Sequence, residues 1–413
     1  MLNKKILLVA VIIVMGMGCS SLKTIAETDR SRNFPSEISV GDIVHVATGE
    51  KITFSQLADS LDGARIVYVG EIHSNKESHD VQLQVLKEFY KRYGDNIAVG
   101  MEMFKRPHQD ILDKWTAGEI SEEDLLSSTD WWHEWGFDYS LYKDIMDFTR
   151  DNKIPVVALN ITREFQKKIS ENGIEGLSKE ERESLPEIDT TDFYHRRYLE
   201  RVFKGHADMS DAFERFYLVQ CAWEDIMADS ISRYLSSPRG KDKKFLVFIG
   251  GGHIIYHFGV PKRVFRRNHL PYRTIATYEL RDLKPEDEHP LFAKDIPLQP
   301  ADYVRVIQLP KKEKKVLLGV VIQNVRDEKE GKKDKVVIES VLEDSPAGKA
   351  GLQAGDIILS MDDESVRGVY NVINHVRKKK SGGTCLIEIS REGTKIFIEV
   401  TFFEIKGHGK KKL

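Results

Sequence analysis

The sequence is poor in the features that define several common classes of protein. Its 413 residues include three cysteines, and Cys221 and Cys385 fall in different predicted domains, so we expect neither a disulfide between them nor a cysteine-based metal motif. The formal net charge of −3 gives no reason to expect a nucleic-acid partner. Beyond Ser20, no apolar run is long enough to cross a membrane as a helix. What remains is a globular chain long enough for two or three domains.

Short motifs that bind phosphate or metal are also absent. The Gly-Gly-Gly-His run at 250–253 is followed by neither Lys-Ser nor Lys-Thr and lacks the spacing of a dinucleotide fingerprint. Its glycines would let the backbone approach a ligand closely, or would simply form a tight turn. The sequence has no His-Glu-x-x-His pair of zinc ligands either. A functional site must therefore be assembled from residues that are distant in sequence.

The N-terminus has the pattern of a secretory signal. Lys4 and Lys5 precede an apolar run over residues 6–15, and small residues then lead into Cys19. This arrangement resembles a bacterial lipoprotein signal, in which Cys19 is lipidated and becomes the mature N-terminus. An ordinary signal peptide with an incidental cysteine is the alternative.

The lipoprotein interpretation sets the expected boundaries of the first segments. We predict a signal peptide over residues 1–19 and a polar tether over residues 20–40. Gly16 stands where such signals usually carry Leu, which is a departure from the pattern. Ser20, in place of Asp after the cysteine, resembles the pattern that sorts lipoproteins to the outer membrane.

Residues 41–283 show strands alternating with helices, the pattern of a mostly parallel sheet flanked by helices. The strand signals are continuous apolar runs, as expected for strands that are buried on both faces. The predicted strands are Ile66–Val69, Ile97–Glu102, Val156–Asn160, Phe245–Ile249 and Arg273–Tyr278. We therefore predict the α/β fold class for this domain.

Polar side chains stand at the ends of the predicted strands. Glu71 and His73 follow the first strand, Glu102 and Asn160 end the next two, and His253 follows the fourth. Because the carboxyl ends of parallel strands form the ligand-binding edge of a sheet, we expect these side chains to converge. Such a set could hold a metal or cofactor through imidazole, or act in general acid–base chemistry. For Glu71 and His73, capping of the following helix is the structural alternative.

Two other segments carry unusual side chains. The insert Thr129–Tyr142 contains three tryptophans, which are more often core residues than a ligand platform, although an aromatic segment beside a polar cleft suits a large flat apolar ligand. In the helix predicted over residues 210–235, one face carries Tyr217, Gln220 and Glu224.

The composition changes after residue 283. Residues 284–315 are rich in proline and in charged residues, which predicts an extended linker. Residues 316–404 show short strands separated by glycine turns, which predicts a small β-rich second domain. Residues 405–413 form a basic tail.

Six segments of the first domain resemble the ChaN-like haem-binding lipoproteins. They are G-E-I-H-S at 70–74, G-M-E-M-F at 100–104, W-W-x-x-W-G-F-x-Y at 131–139, I-P-V-V-A-L-N at 154–160, F-Y-x-x-Q-x-x-W-E-D-x-M-A at 216–228 and G-G-G-H at 250–253. The resemblance extends over about residues 40–280. It implies an α/β domain that binds haem in iron acquisition, with tyrosine and histidine at the iron.

The resemblance also implies roles for particular residues. His73, His253 and Tyr217 become the cofactor-binding residues, with Tyr142 and Tyr194 left open as alternative iron ligands. The wider group includes erythromycin esterase-like and TIKI/TraB-like proteins, some of which are thought to be metal-dependent hydrolases. In that alternative, the residues that hold a divalent metal and act in catalysis are Glu71, His73, Glu102 and His253.

The second domain resembles the PDZ domains of bacterial periplasmic proteins. The segment S-P-A-G-K-A-G-L-Q-A-G-D-I-I-L-S-M-D-D-E-S-V at 345–366 is similar to the family signature. The residues that resemble the carboxylate-binding loop are Leu317, Leu318, Gly319 and Val320. The resemblance implies that a peptide pairs with a sheet edge while its terminal carboxylate meets the N–H groups of this loop.

We therefore expect a lipid-anchored protein of the bacterial envelope that binds haem or an iron complex for uptake and recruits a peptide or protein C-terminus through its PDZ domain. Two alternatives stay open: a metal-dependent hydrolase of the peptidase or esterase type, and a peptide-binding adaptor without catalysis. A homodimer with haem between two copies also stays open, because no dimer surface is readable from the sequence.

Overall fold

The structure is a computed structural model. It describes residues 34–35, 37–203, 210–281, 291–293, 295–310, 316–326 and 334–404. The predicted signal peptide, most of the predicted tether and the basic tail lie outside this part of the chain. Within it, no helix combines the length and the apolar character needed to cross a membrane.

The first domain is built on a sheet of eight strands within the described residues. In chain order they are β1 (Ile43–His45), β2 (Glu50–Ile52), β3 (Ile66–Glu71), β4 (Ile97–Lys105), β5 (Val156–Asn160), β6 (Lys244–Gly250), β7 (Tyr272–Glu279) and β8 (Tyr303–Ile307). The spatial order is β2-β1-β8-β7-β3-β6-β4-β5. The run from β8 to β5 is parallel, whereas β1 and β2 pair antiparallel at one edge. The predicted α/β fold class is confirmed.

Helices cover both faces of this sheet. They are α1 (Phe54–Ser60), α2 (Lys76–Tyr93), α3 (Gln109–Ala117), α4 (Glu122–Ser128), α5 (Trp131–Glu134), α6 (Lys143–Asp151), α7 (Arg163–Asn172), α8 (Lys179–Ser184), α9 (Phe193–Phe203), α10 (Ser210–Ser236) and α11 (Val260–Asn268). In β3, Val67 and Val69 pack into the core on the α2 side, whereas Ile66 and Tyr68 pack into the core on the α10 side. Because both faces are covered, the strand is apolar throughout instead of alternating.

The strand order places the polar strand ends next to one another. Strand β6 lies between β3 and β4 and is parallel to both. Glu71 therefore ends a strand on one side of Gly250, and Glu102 belongs to the strand on its other side. Hydrophobic burial on both faces thus fixes a polar cleft at one edge of the sheet.

Part of the predicted linker 284–315 belongs to this sheet instead. The segment Tyr303–Ile307 forms β8, which pairs parallel with β7 and antiparallel with β1. Its five residues are mostly apolar, and pairing on both sides satisfies their backbone groups. The end of the predicted tether is also packed, since the ring centres of Phe34 and Phe292 are 5.4 Å apart.

The second domain is an antiparallel β domain with two short helices in its described part. Its strands are β9 (Val320–Arg326), β10 (Asp334–Val341), β11 (Ile357–Met361), β12 (Glu364–Ser365), β13 (Thr384–Arg391) and β14 (Thr394–Thr401), and its helices are α12 (Pro346–Ala350) and α13 (Val369–Arg377). The sheet runs β14-β13-β11-β10-β9, so β9 lies at an edge. Asn324 in β9 accepts a hydrogen bond from the Val369 N–H at the start of α13 (3.0 Å).

The predicted carboxylate-binding loop, Leu317–Val320, leads directly into β9. Two backbone hydrogen bonds to the rest of the domain fix the shape of this loop. The Leu318 carbonyl accepts the Ala347 N–H (2.9 Å), and the Gly319 carbonyl accepts the Leu342 N–H (2.8 Å). Gly319 has φ +82°, and a Cβ there would lie 2.1 Å from the Ser345 Cβ, so only glycine fits. The loop thus leads into the edge strand that contacts α13, where the resemblance to PDZ domains implies a peptide groove.

Helix α13 also contacts the first domain. The Tyr370 hydroxyl donates to Glu122 (2.7 Å), and the Arg377 guanidinium pairs with Asp138 (2.8 Å). The same guanidinium lies 4.5 Å from the ring centre of Trp132. Tyr370 and Arg377 are seven residues apart and so share one helix face. This face packs on the aromatic segment 129–142 and on α4.

Candidate functional site

One half of the strand-end cleft is organised by Glu71. Its Oε1 lies 2.7 Å from His73 Nδ1 and accepts the Tyr142 hydroxyl at 2.7 Å. Its Oε2 accepts the Gln82 side-chain amide at 2.8 Å. The carboxylate is 2% exposed, so these bonds replace the water it has lost. The result is a fixed His73 ring.

The other half is organised around His253. Its Nε2 lies 3.4 Å from Glu102 Oε1, and its Nδ1 lies 3.2 Å from Glu224 Oε1. The Gln220 amide donates to the same Glu224 oxygen (2.9 Å). The second oxygen of Glu102 accepts the Gly250 N–H at 2.6 Å. Both ring nitrogens of His253 are therefore engaged by protein groups.

The carboxylates and imidazoles of the cleft stabilise one another's charged forms. Burial alone would lower the pKa of His253, but the carboxylates of Glu102 and Glu224 outweigh it and raise that pKa to about 10. Burial would raise the pKa of Glu102, but the positive charges of His253 and His73 lower it to about 2. For His73, the bond to Glu71 outweighs burial and raises the pKa. At neutral pH, His253 is therefore an imidazolium between two carboxylates.

This pairing predicts a pH dependence of stability. The pKa of His253 is about 10 in the folded chain against about 6.5 unfolded, so its stabilising contribution is complete below pH 6.5 and is lost as the pH rises towards 10. We expect the free energy of unfolding, from urea titrations at pH 6, 8 and 9.5, to fall more steeply in the wild type than in His253→Gln. Equal slopes would contradict the ion pair.

His73 keeps one ring nitrogen available. Among the described residues no hydrogen bond or ion pair occupies its Nε2, and its side chain is 29% exposed. The rings of Trp135 and Phe137 each lie 4.9 Å from the imidazole, centre to centre. A Cβ on Gly250 would lie 2.9 Å from Nε2, so glycine makes room for the ring. The aromatic segment 129–142 thus forms one wall of the cleft.

The cleft residues of the described chain do not form a group of three side chains whose ligand atoms lie within 4.8 Å of one another. In the described part of the chain, the one group of three side chains with ligand atoms within 4.8 Å of one another lies in the second domain: Asp362, His375 and Cys385. There the Asp362 carboxylate is already bound by His375, by Lys379 and by the Leu386 N–H. An ammonium already occupies the position that a metal would need.

The comparisons with known proteins identify both domains. Residues 57–264, just over half of the chain, match the profile of the family described as haem-binding uptake, Tiki superfamily, ChaN. The chain belongs to this family. Residues 307–402 match the PDZ domain profile, so the ChaN domain is followed by a PDZ domain, as predicted.

Individual relatives resemble one domain each. A solved structure described as cofacial haem binding to ChaN of Campylobacter jejuni aligns with 64% of this chain and 95% of its own, at 15% identity and a TM-score of 0.49. Probable periplasmic serine endoproteases, DegP-like, are 39% identical over 89 residues in Pseudomonas putida (strain W619) and 40% over 88 residues in Pseudomonas fulva (strain 12-X). These matches cover 20% of this chain and 19% and 18% of the proteases, so the chain spans about a fifth of these curated relatives.

The tyrosines considered as iron ligands of the ChaN domain lie in different environments. Tyr217 is 2% exposed, and its hydroxyl donates to the carbonyls of Thr190 (3.2 Å) and Asp192 (3.4 Å). Burial raises its pKa, which disfavours the tyrosinate an iron would need. Tyr142 is buried and donates its hydroxyl to Glu71, the carboxylate that binds His73. Tyr194, at the start of α9, is 37% exposed.

Sequence reasoning placed Gln220 and Glu224 on one helix face without giving them a role. In the structure Glu224 pairs with His253, and Gln220 donates to Glu224 (2.9 Å). Glu224 also lies 3.3 Å from His195 and 3.4 Å from Arg263. Acidic residues in the middle of an otherwise apolar helix were the available signal, because buried carboxylates need partners. His253 is therefore a supported cation and offers no free nitrogen to a cofactor in this conformation.

Proposed function

We propose that this protein binds haem at the strand-end cleft of its ChaN domain, for uptake, on the periplasm-facing surface of the bacterial envelope. The observation that carries the proposal is the free Nε2 of His73. Glu71 accepts a hydrogen bond from Nδ1, so Nε2 is the nitrogen that would hold the haem iron. The aromatic rings of Trp135 and Phe137 beside it suit a large flat ligand.

Two observations support an envelope location. The N-terminal pattern resembles a lipoprotein signal, and lipidation of Cys19 would anchor the chain to the outer membrane. The relatives of the PDZ domain are described as periplasmic proteases. A lipid anchor at Cys19 and a tether would keep both domains near the membrane without a spanning helix.

The PDZ domain offers a binding edge for a partner protein. Strand β9 pairs with β10 on one side, and its other edge is unpaired among the described residues. An extended peptide can add to such an edge, with its C-terminal carboxylate at Leu317–Val320. We propose that a protein C-terminus of the haem transport machinery is recruited there.

The alternative of a metal-dependent hydrolase has less support. Its proposed ligands were Glu71, His73, Glu102 and His253. Of these, His253 is held as an imidazolium, and a protonated nitrogen does not bind metal. Glu102 pairs with the His253 cation (3.4 Å) and accepts the Gly250 N–H (2.6 Å). A metal bound there would have to displace the ion pair between Glu102 and His253 and the hydrogen bond from the Gly250 N–H.

Absorbance titration with haemin tests the proposal. The chain without its signal segment, residues 20–413, is expected to give a saturable Soret shift. His73→Ala is expected to weaken binding by about tenfold or more, because an iron ligand is lost. His133→Ala is the matched control, since this imidazole lies in the same aromatic segment but is 65% exposed and pairs with Asp130.

Two outcomes would count against haem binding at this cleft. Equal affinity of wild type and His73→Ala would move the haem elsewhere on the chain. No saturable shift in the wild type, with a stoichiometric divalent metal found by elemental analysis of the same sample, would favour the hydrolase instead.

A further inference from the structure

The cleft contains a buried lysine that no role described so far requires. Lys105 ends β4 and is 3% exposed. Its ammonium lies 5.4 Å from the ring centre of Trp135, the same ring that packs against His73. Lys105 and His73 therefore share the aromatic wall of the cleft.

A bulge in β4 brings this side chain to the cleft. Between Met101 and Lys105 the register with β5 shifts, so that the five residues Met101–Lys105 lie opposite the three residues Ala158–Asn160. In a regular strand, Glu102 and Lys105 would point to opposite faces of the sheet. The bulge re-aims the strand end, as bulges next to functional sites commonly do.

The ammonium of Lys105 has no ion-pair partner within 4 Å among the described residues. Two carboxylates, Glu102 and Glu134, act on this ammonium from beyond that distance. Glu102 is paired instead with His253 and accepts the Gly250 N–H. A buried, unpaired ammonium is costly, and most buried charges are paired. Burial lowers the pKa of Lys105 to about 8 and outweighs the opposing charges of Glu102 and Glu134.

A second unpaired cation lies close by. Arg163 begins α7, and its backbone N–H donates to Glu134 (2.9 Å). Its guanidinium lies 3.9 Å from where a Cβ of Gly136 would stand, directly after Trp135 in the aromatic segment. No carboxylate pairs with this guanidinium within the described residues. Both cations therefore border the same short stretch of the aromatic segment, Lys105 at Trp135 and Arg163 at Gly136.

We propose that Lys105 and Arg163 form an anion subsite of the cleft that binds a carboxylate of the ligand held at His73. The inference rests on the proposed function for the identity of that ligand, since haem carries two propionate groups. An ammonium contributes a compact charge inside the cleft, and a guanidinium at the rim adds a planar pair of donors for a carboxylate. The carboxylate supplies the counter-ion that Lys105 lacks.

A comparison of haemin with haemin dimethyl ester, whose carboxylates are blocked, tests this subsite. We expect the wild type to bind haemin about tenfold more tightly than the ester. Lys105→Gln should lose most of this preference, and Arg163→Gln, at an exposed position, should lose part of it. Lys114→Gln, an exposed lysine on α3, is the control that keeps the preference. Thermal melts followed by circular dichroism show that each variant is folded.

Retention of the full preference in both variants would overturn the subsite. If the wild type binds no haemin at all, the proposed function fails but the subsite is still testable with pyrenebutyric acid and pyrenebutanol, which share a flat apolar body. Tighter binding of the acid than of the alcohol, lost in Lys105→Gln, would support the subsite without haem. Equal binding of the two probes by the wild type, or no binding of either, would overturn it.

Discussion

Arg263→Met is expected to lower the free energy of unfolding of the first domain by about 3 to 5 kcal/mol. Arg263 is 1% exposed, and its guanidinium binds Asp225 (3.0 Å) and the carbonyls of Phe258 (3.0 Å) and Asp189 (2.9 Å). It also lies 3.4 Å from Glu224, which is fully buried. Methionine fills a similar volume but removes one of the cations of each buried carboxylate, so that Asp225 keeps Arg267 and Glu224 keeps His253, and this loss is the costly change.

Urea denaturation followed by tryptophan fluorescence measures this effect on the first domain alone, because all five tryptophans precede residue 283. Arg266→Met is the matched control. Arg266 lies one helical turn away in α11, is 43% exposed and pairs with Asp189 at the surface, so its loss should cost less than about 1 kcal/mol. Similar stabilities for the Arg263 and Arg266 variants would show that the buried network contributes no more than a surface pair.

Gly250→Ala is expected to lower haemin affinity by about tenfold or more while the fold is kept. The added Cβ would lie 2.8 Å from Cε1 and 2.9 Å from Nε2 of His73, which is closer than real Cβ contacts allow. The imidazole cannot simply retreat, because Glu71 holds one side and the rings of Trp135 and Phe137 border it. The ring must therefore turn away from its present position.

Gly252→Ala provides the control two residues further on, since a Cβ there would meet no atom within 4 Å. The haemin affinities of the Gly250→Ala and Gly252→Ala variants should therefore differ by about tenfold or more. An NMR titration of the histidine ring protons gives a readout that needs no haem, because the pKa of His73 depends on its bond to Glu71. We expect this pKa to fall in Gly250→Ala and to stay unchanged in Gly252→Ala. An unchanged pKa in both would show that the ring tolerates the methyl group.

The sequence predicts the edges of the cleft well because hydrophobic burial leaves a local signature. Continuous apolar runs marked the strands, and a polar residue directly after such a run marks a strand end. The structure accordingly brings Glu71, His73, Glu102 and His253 to one edge of the sheet. The order of the strands, with β6 between β3 and β4, has no such local signature, because it follows from packing between distant segments.

Other parts of the site could not be read from sequence for identifiable reasons. The strand Tyr303–Ile307 is short and lies between proline-rich stretches, so composition favoured a linker. Tyr217 shares a helix face with Gln220 and Glu224 but lies nearly one turn earlier along the helix. Its hydroxyl therefore binds the carbonyls of Thr190 and Asp192 instead of residues of the cleft. Lys105 lies beyond the predicted strand Ile97–Glu102, because a bulge that continues a strand is invisible without the neighbouring strand.

The contact between α13 and the first domain would bring a protein bound at the PDZ domain close to the cleft. One side of this helix borders the peptide groove, while Tyr370 and Arg377 fasten another side to the first domain. A protein whose C-terminus occupied the groove would be tethered beside the aromatic wall of the cleft. For a short tether, the effective concentration of such a partner at the cleft is of the order of millimolar. Passing a ligand between the two would then be an intramolecular step, insensitive to how dilute either protein is in the surrounding compartment.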